Sequence, residues 1–122
     1  MSLGYKVYGA FPQGLLVQAL CQDAATSISA AGATQGTATE LTNAVSGITT
    51  VASNAGVILS SQSSAGDFQV VFNAGANSLK IYPDTGAKIN QLAVNIAMSL
   101  ATNTGCVLFK VSTTQWVGIL SA

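Results

Sequence analysis

The alternation of apolar and polar positions is sharpest in the second half of the chain. Asp67–Asn73 places Phe68, Val70 and Phe72 at every second position, Ser78–Tyr82 does so with Leu79 and Ile81, and Cys106–Ser112 with Val107, Phe109 and Val111. In Gln115–Leu120, Trp116, Gly118 and Leu120 alternate with Val117 and Ile119. A period of two in runs rich in β-branched and aromatic residues, bounded by Asn, Gly, Thr or Ser, predicts strands joined by tight turns. The shared faces assign Phe68, Val70, Phe72, Ile81, Phe109, Val111 and Trp116 to the core.

Weaker patterns extend this reading upstream and between those runs. Ile48–Ala52 reads as a strand, because Gly47 and three consecutive β-branched residues disfavour helix. Val57–Leu59 is a short continuous apolar run, consistent with a strand buried on both sides. Ile96, Met98 and Leu100 alternate with smaller residues and predict another strand. Asn73–Asn77 reads as a hairpin loop with Gly75 available for a positive φ, and Pro83–Gly86 as a turn. Thr102–Gly105 reads as a hairpin onto Cys106–Ser112, and Thr113–Thr114 as the last turn. About seven or eight short strands at close spacing predict an all-β fold, a single antiparallel β-sandwich or barrel. It would occupy residues 34–122, with residues 1–33 as an extended N-terminal arm or edge segment. Residues 23–39 carry few side chains able to fill a core. They read either as a linker or as a strand laid across a neighbour.

Composition narrows the function classes. Of 122 residues only 7% are charged, with four lysines, four acidic residues, no histidine and zero net charge, against about 25% charged residues in an ordinary domain. A neutral surface of small polar side chains does little to resist association, which favours a subunit that meets many neighbours over a free monomer. Four lysines without arginine build no basic stripe, so nucleic-acid binding is not expected. No apolar run is long enough to span a membrane, and the first residues lack the basic and apolar blocks of a signal peptide. Synthesis in a cytoplasm is the corresponding expectation.

Little catalytic chemistry is on offer. Without histidine, neither a Cys–His nucleophile nor an ordinary zinc site can be assembled around Cys21 and Cys106. Cys106 reads as a buried thiol, and a Cys21–Cys106 disulfide needs an oxidising environment. Asp67 and Asp84 both sit in turn sequences, where aspartate bonds to nearby backbone, and this reading outweighs a paired-carboxylate site. Pro83–Gly86 lacks the acidic spacing of a calcium loop. Tyr82 and Trp116 are the two aromatics that could be exposed as a glycan platform, against the core reading of Phe72 and Phe109. The expectation is a protein without cofactor, metal or enzymatic activity.

A longer pattern is carried by Gly66-Asp67, Val70–Asn73, Gly75–Asn77, Ile81–Pro83, Gly86, Ile89-Asn90, Phe109, Val111–Thr113 and Trp116. This order, with Ala30–Leu41 and Ile48–Ala52 upstream, resembles small proteins of tailed-phage and prophage structural modules over about residues 26–120. The resemblance implies a virion structural protein, of the capsid decoration (cement) type, placed on the capsid surface after synthesis in the host cytoplasm. It implies the major capsid protein and further copies of the chain as partners, such proteins typically being trimers, and no nucleic acid or membrane. The first 25 residues fall outside it, so Tyr5, Tyr8, Phe11, Leu15 and Leu16 are the candidate capsid or subunit contacts. The alternative is a head- or tail-fibre module that binds a host receptor or glycan.

Overall fold

The computed structural model describes residues 24–121, and all of them outside one short 3-10 turn (Gln35–Thr37) are strand or irregular. Among the described residues there are ten strands: β1 (Ala24–Ser29), β2 (Thr39–Glu40), β3 (Val45–Thr50), β4 (Gly56–Ile58), β5 (Phe68–Asn73), β6 (Leu79–Tyr82), β7 (Lys88–Ile89), β8 (Met98–Leu100), β9 (Thr104–Ser112) and β10 (Gln115–Leu120). They form a six-stranded sheet in the order β1-β3-β5-β9-β10-β7 and a four-stranded sheet in the order β2-β4-β6-β8.

This is a β-solenoid, and it overturns the expected antiparallel sandwich or barrel. The all-β character stands; the pairing does not. β1, β3 and β5 pair in parallel in one sheet, and β2, β4 and β6 pair in parallel in the other. From β1 to β9, strands adjacent in sequence therefore lie in opposite sheets, and each coil stacks on the next. Val45 stands opposite Ala24 and Val70 opposite Val45, while Val57 stands opposite Thr39 and Ile81 opposite Val57. The stack ends in antiparallel strands: β9 returns along β5, β10 along β9, and β8 along β6.

β1 lies inside the stretch expected to be an arm, yet it pairs with β3 of its own chain. Two expected hairpins are absent for the same topological reason. Residues 74–78 carry the chain from β5 in one sheet to β6 in the other, and residues 101–103 carry it from β8 to β9. Gly75 is not needed for a positive φ. It is needed because a Cβ there would stand 2.5 Å from Val51 Cγ2. The β9–β10 hairpin is present as expected.

The core lies between the two sheets. Ile48, Val71 and Leu108 enter it from the six-stranded sheet, Val57, Ile81 and Leu100 from the four-stranded one, all 0% exposed. Trp116, also 0% exposed, and Ile81 occupy the core positions their patterns predict. Five other expected core residues do not. Phe68, Phe72, Phe109 and Val111 are exposed and Val70 is half-buried, because β5 and β9 turn their opposite faces inward. β5 buries Gln69, Val71 and Asn73; β9 buries Cys106, Leu108 and Lys110.

The buried amides have a reason to be there. A solenoid must turn a corner at both ends of every strand, and each corner brings backbone groups inside that need partners. Gln69 Nε2 donates to the carbonyls of Leu41 (3.0 Å) and Asn43 (3.2 Å), and its Oε1 accepts from the Ser60 N–H (2.9 Å). Asn73 Nδ2 donates to the carbonyls of Asn77 (2.9 Å) and Leu100 (3.0 Å), and its Oδ1 accepts from the Gly75 N–H (2.9 Å). One amide closes each end of β5, which fixes that strand's polar face inward.

Candidate functional site

Two features stand out: a buried charged cluster and a bare apolar sheet face. The cluster forms where β9, β10 and the turn after β6 meet. Lys110 Nζ donates to Asp84 Oδ2 (3.1 Å), to the Ser63 carbonyl (3.2 Å) and to Ser63 Oγ (3.1 Å). It stands 5.5 Å from the centroid of the Trp116 ring, whose Nε1 donates to Asp84 Oδ1 (2.8 Å). An ammonium has three protons, and each has an acceptor here. The arrangement is closed on itself and offers no free group to a substrate; it locks the turn at Asp84 onto β9 and β10.

The other titratable groups are also engaged in structure. Asp67 Oδ2 accepts from the Ser64 N–H at 2.8 Å, the local turn bond its sequence predicts. Asp84 makes its side-chain contacts far along the chain instead, and Asp67 is not among them. The Ser61 N–H (2.9 Å) and hydroxyl (2.8 Å) both donate to Glu40 Oε2 and hold that carboxyl below its ordinary range. Cys106 is a buried free thiol, and desolvation pushes it up to about 12, so it is neither a thiolate nor a ready nucleophile. Among the described residues no group of three or more Cys, Asp or Glu could hold a metal ion, and no helix is long and apolar enough to cross a membrane.

The aromatic platform is not assembled. Trp116 is wholly buried, and Tyr82 is 8% exposed with its hydroxyl donating to the Ala33 carbonyl at 3.0 Å. Tyr5, Tyr8, Phe11, Leu15 and Leu16, the candidate contacts of the arm, lie outside the described residues, as does Cys21.

The second feature is the outer face of the six-stranded sheet. One cross-strand row runs Ala24, Val45, Val70, Val107, Ile119 across five strands; a second runs Phe68, Phe109, Val117; a third runs Gly47, Phe72, Gly105. No charged residue stands in any of the three rows. Phe68 and Phe109 pack as a tilted pair with centroids 6.4 Å apart. Sequence periodicity found Phe68, Val70, Phe72 and Phe109 and assigned them to the wrong side of the sheet. The signal that distinguishes the sides is weak: Gln69, Asn73 and Lys110 look like solvent-facing residues until their partners are known.

No family model, curated protein or solved structure matches the chain.

Proposed function

We propose that this chain is a structural subunit of a tailed-phage virion, a capsid decoration protein that binds the outer capsid surface and the major capsid protein as a symmetric homo-oligomer. The observation that carries this reading is the set of apolar, charge-free rows on the outer face of the six-stranded sheet, with Lys88 on the edge strand β7 as their charged border. Soluble monomers rarely leave contiguous apolar patches of several hundred Å² bare. A cement protein works through many repeated contacts between rigid copies, and a solenoid with satisfied corners is a rigid platform for them. The buried amides Gln69 and Asn73 are spent on corners, in keeping with a scaffold.

A receptor-binding fibre module is the second reading. It draws on a depression of about 620 Å³ beside the four-stranded sheet, lined in part by Ser53, Asn54, Asn77, Lys80 and Ser99. Amide, hydroxyl and ammonium groups in a shallow cleft are donors and acceptors suited to a sugar. Copy number decides between the two. Quantified band intensity in purified particles should give hundreds of copies per virion for a decoration protein. A handful of copies would favour the fibre module, and absence from particles would overturn both.

A further inference from the structure

We propose that the outer face of the six-stranded sheet is the surface on which copies of this chain associate with one another. The inference rests on the structural-subunit reading for its need of repeated copies, and adds the face and the side chains that make the contact.

The bare area is of the right size. Phe68, Phe72 and Phe109 are 48%, 45% and 40% exposed, and Val45, Val111, Val117 and Ile119 between 37% and 59%. With about 200 Å² for a fully exposed phenylalanine, these seven side chains leave on the order of 600 Å² uncovered. A stable complex buries about 800 Å² per partner, so the face supplies most of one side of such an interface. Its composition is that of the centre of a homo-oligomer contact, rich in phenylalanine and depleted of charge. Lys88, a charged neighbour, stands at its rim on edge strand β7.

The face carries exposed aromatic side chains and an apolar depression. At one end of the face lies the Phe68–Phe109 pair, about half exposed. Towards the other end lies an apolar depression of about 350 Å³, bordered by Phe72, Gly105, Val107, Ile119 and Leu120. Gly105 helps to form it: a Cβ there would meet the Phe72 ring at 3.4 Å. Phe68 and Phe72 are four residues apart on β5, roughly 13 Å along the strand. Aromatic pair and depression thus lie side by side on one surface, and a second copy brings the one against the other. Such a contact closes by rotational symmetry, which limits association to a defined number of copies.

The test uses the full chain and light scattering after size exclusion. The wild type should run as a defined multiple of the 12.3 kDa chain. Ile119→Lys and Phe109→Lys place a charge on the face at positions 59% and 40% exposed, where the monomer fold tolerates it. Each should weaken association by about a hundredfold or more. Ser99→Lys, on the outer side of the other sheet, should leave the oligomer intact, and circular dichroism should show all three folded. A wild type that stays monomeric at high concentration overturns the proposal. So does an oligomer indifferent to both face substitutions. An oligomer that Ile119→Lys dissolves, from a protein absent from purified particles, supports the interface and removes only the virion reading. Particles that carry the protein as separate monomers overturn the interface and leave the virion reading standing.

Discussion

At the scale of single residues, what sets this chain apart is how its few charges and amides are used. Lys110 is 4% exposed and Asp84 14%, so neither is fully solvated, and each depends on the other. Removing one partner of a buried pair costs more than the pair contributes, because the remaining charge is stranded. Asp84→Ala should therefore destabilise by about 3–5 kcal/mol, and more than Lys110→Met, which leaves behind an acid with some access to water. Urea unfolding followed by the fluorescence of the single tryptophan would measure both, since Trp116 touches both partners. Equal effects from the two variants would show that the stranded lysine finds water. Cys106 supports a second prediction. Burial raises its thiol from the usual 9.0 to about 12, so the folded state disfavours the thiolate that the unfolded chain forms readily. The stability this contributes is fully present below pH 9 and is lost progressively as pH rises towards 12. In a Cys21→Ser background, a thiol reagent at pH 7.5 should label the native protein only at the rate of its opening. Labelling as fast as in urea would mean that Cys106 is accessible.

At the scale of elements, the coils depend on close approaches as much as on strand pairing. Gly75 lies in the corner after β5, where an added Cβ would stand 2.5 Å from Val51 Cγ2 and 2.8 Å from Val51 Cβ. Gly75→Ala should cost about 1–3 kcal/mol by overpacking. Val51→Ala alone should cost a comparable amount by leaving a cavity, whereas the double variant should recover part of the loss, since the new methyl enters the vacated space. Strict additivity in denaturant titrations would show that the corner moves instead of clashing. This corner also illustrates what was legible in the sequence. Strand existence was legible: Phe68–Asn73, Leu79–Tyr82, Thr104–Ser112 and Gln115–Leu120 lie where alternation places them. Strand partners were not, because a period of two and a glycine-rich connection describe a hairpin and a solenoid corner equally well. Facing was lost for a related reason. Phe68-Gln69-Val70-Val71-Phe72-Asn73 has its larger apolar residues on the outer side, and only the carbonyls and N–H groups bound by Gln69 and Asn73 reveal which side is inner. The buried Lys110 misleads in the same way on β9. The aromatic part of the bare face was therefore present in the sequence, as Phe68, Phe72 and Phe109, but read as core.

At the scale of the whole molecule, the scarcity of free charge shapes how it should associate. Of the four lysines and four acids, Lys110 and Asp84 neutralise each other inside the fold, Glu40 binds Ser61, and Asp67 binds Ser64. Lys80 and Lys88 are the described charges without such an internal role, and neither stands in the apolar rows of the six-stranded sheet. Contacts made through that face are therefore apolar and backbone in character, and screening has almost nothing to act on. The Debye length falls from about 10 Å at 0.1 M salt to about 3 Å at 1 M, which weakens charged contacts and leaves apolar ones unaffected. Sulfate, excluded from protein surfaces, strengthens apolar burial. Self-association through that face should accordingly persist from 50 mM to 1 M sodium chloride and tighten in ammonium sulfate, and attachment to particles, with few free charges to draw on, should change little with salt. Cooling should loosen self-association, because the hydrophobic term weakens towards low temperature. Sedimentation of decorated particles across a salt series, with the free protein followed by light scattering in the same buffers, checks this directly. Release by moderate sodium chloride alone would show that attachment to particles runs through charges.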